Sequence, residues 1–373
     1  MKPTTITMCI TELDVGGAEK AFVRIAQGLA GHGWNVRVIS LRDRGPLAES
    51  LEAANIPVTA LECGGLADIR ALFRLKRELC SHQPEVLLTF LHQANIVGRI
   101  AGRLAGVKTI VSGIRVADRR LAVTLPERMT RRLVDHYVAV SRNVATTHGE
   151  LCGISPEHMS VILNGVDVEA IASAVPVDRS ELGANPHDFI VLFVGRLTAQ
   201  KAPEDLLNAF AAIPDVRSRA CRLVFTGDGP LREPLQAKIM QLELQDKVRL
   251  TGWRPDIARI MKSCNLLVLP SRWEGLPNVV LESAAAGLPV IASDVDGVRE
   301  LIPEFTSGQL FPAGNIDRLR ELMVEHINAA SVGANLTQNS QPVSGTQVTW
   351  DSVASAYHQL LMRLTSGTEI PRN

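Results

Sequence analysis

Short apolar runs alternate with stretches of helical spacing along most of the chain. Thr5–Ile10 is a β-rich run, and a glycine-containing loop, Thr11–Glu19, follows it. Phe22, Ile25, Ala26 and Leu29 then recur at i, i+3, i+4 and i+7, which is one face of a helix. Gly31 and Gly33 suit the end of that helix, and Asn35–Leu41 alternates like a strand. The result is a strand–helix–strand unit, and right-handed crossovers make such units build parallel sheets.

The rhythm continues through strand candidates Val58–Leu61, Val86–Phe90, Thr109–Ser112, Tyr137–Val140 and Ser160–Leu163. Proline-bearing, irregular sequence interrupts it from Gly165 to Asp188. It restarts with Phe189–Val194, Arg222–Thr226, Val248–Leu250, Leu266–Leu269 and Pro289–Ala292. The pattern predicts an α/β chain of two doubly wound domains facing a cleft, covering 1–170 and 189–349 with a 171–188 linker. Residues 331–349, polar and charge-free, read as a loop or disordered insertion. Trp350, Val353, Ala354, Tyr357, Leu360, Leu361 and Leu364 then return at helical spacing, with a frayed tail from Thr365.

Composition narrows the function. At 373 residues the chain can form two cores, and 39 basic against 39 acidic residues argue against a general nucleic-acid binder. The charge-free run Asn328–Trp350 is too rich in Asn, Ser, Gln and Thr to span a bilayer. The six cysteines form no Cys-x-x-Cys pair and read as reduced core thiols. Met1–Ile10 lacks the pattern of a signal peptide, so the cytoplasm is the expected compartment.

The most informative stretch is Leu266 to Asp294. A buried strand leads into the loop Pro270–Asn278, then a helix Val279–Ala286 that ends at Gly287. Gly275 permits close backbone approach, Pro277 fits a helix start, and amides of the first helical turn attract a phosphate. Glu274 and Glu282 bracket that position, although such a pair also occurs as a solvated or capping pair. Arg196 and Lys201 follow the strand Phe189–Val194, where a guanidinium fork and a movable ammonium could steady a departing diphosphate without a metal. Surface cations are the alternative. Gly16-Gly17-Ala18-Glu19 offers a flexible backbone after the first strand, and His92 follows Val86–Phe90 at a strand end. Gly227-Asp228-Gly229 is no dinucleotide fingerprint, because Arg232 occupies the third glycine position. Asp294-Val295-Asp296 reads as a turn before Gly297 more readily than as a metal pair.

Together, Gly16-Gly17-Ala18-Glu19, Asn164-Gly165-Val166-Asp167, Gly195-Arg196-Leu197 with Lys201, Gly227-Asp228-Gly229-Pro230-Leu231, and the stretch from Glu274 through Gly275, Leu276, Pro277 and Asn278 to Glu282 resemble glycosyltransferase family four. The resemblance runs from about residue 5 to residue 327 and includes the last helix. It implies two Rossmann-like domains of the GT-B type, with helix 350–366 crossing back to the first, and a retaining reaction on a nucleoside-diphosphate sugar. It implies that Arg196 and Lys201 hold the diphosphate, Glu282 the ribose, and Gly275, Leu276, Pro277 and Asn278 the phosphate or sugar. Glu274 and His92 would lie by the donor sugar, and Gly16 and Gly17 by the diphosphate. No metal or other cofactor is implied. The stretch 331–349 departs from the family in being longer and less helical, and no enzymic nucleophile stands out. A UDP-linked hexose or N-acetylhexosamine is favoured over GDP-mannose.

Residues 99–142 hold ten basic side chains, Arg99, Arg103, Lys108, Arg115, Arg119, Arg120, Arg128, Arg131, Arg132 and Arg142, against Asp118, Glu127 and Asp135. Interleaved with Leu121, Leu125 and Met129, they suit an anionic membrane surface or a lipid-linked diphosphate in cell-surface polysaccharide synthesis. A solvated face with internally paired arginines is the alternative. The whole-chain neutrality is a cancellation, +3 over residues 1–170 against −3 over 171–373. A GT-B epimerase and a non-catalytic nucleotide-sugar-binding subunit are the rival functions.

Overall fold

A computed structural model describes residues 4–64, 68–305, 308–331 and 348–366. The chain divides into two compact units, Met1–Gly165 with Val348–Asn373, and Val166–Gln347.

In the first unit the strands are β1 (Thr5–Ile10), β2 (Asn35–Ser40), β3 (Val58–Ala60), β4 (Val86–Phe90), β5 (Thr109–Ile114), β6 (His136–Ala139) and β7 (Met159–Val161). They form one sheet in the order β3-β2-β1-β4-β5-β6-β7, and every pairing is parallel. β4 and β5 are buried along their whole length, so neither sequence alternates between core and solvent positions. The connecting helices are α1 (Gly17–Gly31), α2 (Ala48–Ala53), α3 (Ile69–His82), α4 (His92–Leu104), α5 (Leu121–Thr130) and α6 (Arg142–Cys152).

The second unit repeats the plan. After α7 (Val168–Ala172), strands β8 (Phe189–Val194), β9 (Cys221–Thr226), β10 (Val248–Gly252), β11 (Leu266–Leu269), β12 (Val290–Ser293) and β13 (Gly308–Phe311) form a parallel sheet ordered β10-β9-β8-β11-β12-β13. Its helices are α8 (Pro203–Ala211), α9 (Arg232–Gln241), α10 (Ile257–Ser263), α11 (Asn278–Ala286), α12 (Val298–Phe305) and α13 (Ile316–Ser331). The edge strand β13 gave no sequence signal. It has four residues, and a Cβ added at its Gly308 would lie 2.7 Å from the Ile302 side chain.

The returning helix α14 (Trp350–Ser366) belongs to the first unit. Its Val353, Tyr357, Leu360 and Leu361 enter one core with Phe22, Ile25 and Leu29 of α1. The two helices meet so closely that a Cβ on Gly28 would fall 2.3 Å from that of Ala354. The helical run includes Thr365 and Ser366 rather than fraying there.

Two sequence boundaries are drawn differently by the contacts. The division falls at Gly165/Val166. The 171–188 stretch is tied to the second unit, since Arg179 donates to Asn265 Oδ1 and Ser263 Oγ to the Val177 carbonyl. Of the polar stretch 331–349, only Ser331, Val348 and Thr349 fall within the described residues.

Candidate active site

In each sheet the strand order reverses between two neighbouring strands, β1 and β4 in the first unit and β8 and β11 in the second. Ligands of open α/β sheets bind outside the carboxyl ends of the strands at such a switch point. Beyond the carboxyl ends of these four strands, in the loop or at the start of the next helix, come Gly16 and Gly17, His92, Arg196 and Lys201, and Glu274 to Asn278, respectively.

In the second unit the loop after β8 is braced from behind. The Leu197 amide donates to the Asp228 carbonyl over 2.9 Å, and the Leu231 amide returns to Leu197 over 3.0 Å. At Gly227, with φ +137°, a Cβ would stand 2.0 Å from the Gly195 carbonyl oxygen. At Gly229 it would stand 2.6 Å from that of Leu197. The Gly-Asp-Gly stretch, unassigned from sequence, thus seats the Arg196 turn through backbone packing that only glycine allows.

The loop after β11 is tied to the same turn. The Arg272 amide donates to the Gln200 carbonyl over 2.7 Å, and Gln200 Nε2 donates to the Trp273 carbonyl over 3.0 Å. Arg272 pairs with Asp205 at 2.7 Å. Through this bracing, Lys201 Nζ reaches Glu274 Oε1 at 2.5 Å, and Ser271 Oγ donates to the same oxygen over 2.6 Å. Glu274 is buried, as is Ser271. Ser271 escaped sequence reading. Its only signal is its place just past β11, three residues before Glu274.

Gly275 lies under the next turn, where a Cβ on Gly297 would come within 1.9 Å of the Gly275 oxygen. That turn is the Asp294–Gly297 segment, and Asp294 pairs with Arg299 at 2.7 Å. Leu276 is buried. Pro277 is the N-cap of α11 with extended ψ, and Asn278 is the first helical residue, one earlier than the sequence suggests. The αL residue Gly287 ends the helix. Glu282 sits in the second turn of α11, half-buried, and Arg196 is exposed.

In the first unit, Gly16 caps α1 in extended conformation and Gly17 opens the helix. Asn164 accepts from Arg115, a buried guanidinium stacked 5.3 Å from the Phe90 ring centroid. A Cβ at Gly165 would meet the Trp350 amide nitrogen at 2.6 Å, and Asp167 caps α7 at the Ala170 amide. The Asn-Gly-Val-Asp stretch thus performs three anchoring tasks at the unit boundary.

His92 begins α4. The preceding Leu91 adopts φ +71°, ψ 152°, a strained conformation for a branched residue that turns the chain sharply from β4 into the helix. His92 Nδ1 lies 3.3 Å from Glu127 Oε1. Glu127, on the buried face of α5, also accepts from Arg99 Nη1 over 2.5 Å, with His148 Nε2 at 3.8 Å. Burial pushes the Glu127 carboxyl upward most strongly, but the His92 bond and the Arg99 and His148 charges together hold it below the usual range. Burial pulls His148 down.

The arginine-rich segment separates into two sets. Arg99 and Arg115 are buried, and Arg103 is occupied with the Leu133 carbonyl and Asp135, which corrects the reading of all ten cations as one surface belt. Arg119, Arg120, Arg128 and Arg132 are exposed.

Two parallel Rossmann-like units, each with its conspicuous loops at a switch point, match the GT-B architecture. Residues 15–170 match the model of Glycosyltransferase Family 4, and residues 175–341 that of Glycosyl transferases group 1. The chain is 30% identical over 311 residues to the Escherichia coli UDP-Gal:alpha-D-GlcNAc-diphosphoundecaprenol alpha-1,3-galactosyltransferase, covering 76% of this chain and 78% of that one. It is 25% identical to the lipopolysaccharide core biosynthesis glycosyltransferase LpsE of Rhizobium meliloti, over 93% and 96% of the two chains. The fold is similar to that of Anabaena HepE in complex with UDP and glucose, with a TM-score of 0.81 at 21% identity over 96% of this chain and 99% of that one. The protein belongs to glycosyltransferase family four. It is an enzyme that moves a sugar from a nucleotide sugar to an acceptor.

Proposed function

We propose that this protein transfers a hexose or N-acetylhexosamine from a UDP-sugar, with retention and without a metal, to a lipid-linked glycan. The observation that carries the reading is the Lys201–Glu274 pair held at the β8/β11 switch point. An ammonium paired with a buried carboxylate supports the reading, because a diphosphate would compete with that carboxylate for it. The names of the relatives support the donor and acceptor classes: one uses UDP-Gal and a diphosphoundecaprenol-linked acceptor, and another acts in lipopolysaccharide core synthesis.

In this reading Arg196 and Lys201 stabilise the diphosphate as its bond to the sugar breaks and the electron pair leaves on the diphosphate oxygen. Gly16, Gly17 and the 275–278 backbone approach the same group. Glu282 holds the ribose, while Glu274 and His92 orient the sugar. The acceptor hydroxyl attacks the face the diphosphate leaves, and its proton passes to the departing oxygen. No protein nucleophile is needed.

The acceptor side is proposed to dock on an anionic membrane at the cytoplasmic face. On α5, Leu121, Leu125 and Met129 are 81%, 57% and 76% exposed and follow one another a turn apart. Exposed Arg119, Arg120, Arg128 and Arg132 surround them. Apolar side chains among arginines suit insertion at a headgroup boundary. Among the described residues no helix is long and apolar enough to cross a membrane.

Thermal-shift titration with UDP-, GDP- and ADP-sugars tests the donor, since a ligand of the folded state stabilises it. Stabilisation by UDP-sugars alone is expected, and equal or greater stabilisation by a GDP-sugar would overturn the donor assignment. Turnover of the nucleotide sugar without acceptor would favour the epimerase.

A further inference from the structure

A buried polar chain on the first unit leads to His92. Arg99 is fully buried and donates to Glu127, to Thr130 Oγ1 over 3.0 Å and to Ser112 Oγ over 3.0 Å. Thr89 Oγ1 lies 3.0 Å from Ser112 Oγ and donates to Asn95 Oδ1 over 2.7 Å. Replacing a buried ion pair with apolar residues of similar volume is often neutral or stabilising, so holding the fold does not by itself explain this one. What the pair does hold is a carboxylate, fixed by Arg99, facing His92 Nδ1.

An ionised carboxylate can only accept, so His92 Nδ1 carries the hydrogen in this contact. In the neutral ring Nε2 is then a bare acceptor. Nε2 is itself buried and has no hydrogen-bond partner among the described residues, although the side chain as a whole keeps a quarter of its surface open. Leu91, with its positive φ, sets the ring at the carboxyl edge of the sheet.

We infer that Glu127 is a positioning residue that fixes His92 in the Nδ1–H tautomer, so that Nε2 accepts a hydroxyl of the donor sugar. The part played by the sugar rests on the proposed function; the tautomer does not. Glu127 lies on the inward face of α5, whose outward face carries Leu121, Leu125 and Met129. One helix therefore supports the site residue and presents the apolar stripe.

The first test needs no substrate. Histidine-15N spectra of the whole protein, with His92 assigned by the loss of its signals in His92→Phe, should show the Nδ1–H tautomer. Glu127→Gln, whose amide can present either an acceptor or a donor, should give mixed tautomers. An Nε2–H tautomer in the wild type, or unchanged populations in Glu127→Gln, would overturn the inference. Because Glu127→Gln leaves the Arg99 charge buried, the spectrum is repeated with Arg99→Met added, where mixed tautomers are again expected and a fixed Nδ1–H tautomer would overturn it.

The second test is a double-mutant cycle on sugar transfer. Glu127→Gln should lower kcat about tenfold, roughly the worth of one hydrogen bond, and less than twofold in a His92→Ala background. An equal loss in both backgrounds would overturn action through His92. Wild-type turnover by His92→Ala would remove the donor-sugar role of Nε2, while the spectra still decide the tautomer.

Discussion

Lys201 Nζ and Glu274 Oε1 stand 2.5 Å apart, with Ser271 donating to the same oxygen. The ammonium proposed to meet a diphosphate is thus engaged by a buried carboxylate. In that proposal a diphosphate must draw Lys201 away from it. Glu274→Gln removes that competitor and should bind UDP several-fold more tightly, about 1 kcal/mol, while turning over more slowly. Calorimetry with UDP measures this. Weaker UDP binding by Glu274→Gln would mean that the two do not compete.

Lys201→Ala should lose about 10²–10³ in kcat, the range found when one preorganised donor to a developing oxyanion is removed. The loss should appear chiefly in kcat. A change confined to the donor KM would assign Lys201 to ground-state binding alone.

Gly227→Ala places a methyl group 2.0 Å from the Gly195 carbonyl, at a backbone φ of +137°. The Arg196 turn must shift to accommodate it. The substitution should destabilise the protein by about 2 kcal/mol or more and weaken UDP binding, although residue 227 touches no ligand in the proposed site. Denaturant unfolding and calorimetry check the two effects separately.

His136 Nε2 lies 2.8 Å from Ser160 Oγ, and burial, helped by the charges of His158 and Arg363, pushes its pKa down to about 4. In the unfolded chain a histidine titrates near 6.5. Between these values the unfolded state binds more protons, so the contribution of His136 is complete above pH 6.5 and is lost as pH falls toward 4. His136→Gln should flatten the stability profile in that window. An unchanged slope would show that His136 is not its source.

Vesicle flotation tests the α5 surface. Anionic vesicles should retain the protein at low salt, and Leu121→Asp with Leu125→Asp should abolish retention without altering the melting temperature. Salt should weaken it as well, because exposed arginines contribute through screened attraction. Retention equal to wild type in the double variant would remove α5 as the docking element.

Much of the fold could be read from the chain because parallel strands buried on both faces are written as unbroken apolar runs. Phe189–Val194 and Leu266–Leu269 occupy the residues expected. Gly308–Phe311 could not be found that way, since an edge strand of four residues has neither length nor alternation to mark it. The loops at the switch points were legible through glycine and proline beside strand ends. The supports of those loops were not. Gly227 and Gly229 act on residues some thirty positions earlier in the chain, and Glu127 reaches His92 from 35 positions away. The same applies to Arg99 and Arg115, whose guanidiniums look like surface charge in sequence and lie inside the first unit in the structure.

The most direct measurement is transfer from a UDP-sugar to a prenyl-diphosphate-linked sugar, with the anomeric configuration of the product read by NMR for the wild type and Lys201→Ala. An α-linked product from the α-linked donor is expected, formed about 10²–10³ times more slowly by the variant. A β-linked product, or wild-type transfer by Lys201→Ala, would contradict retaining transfer at the Lys201–Glu274 site.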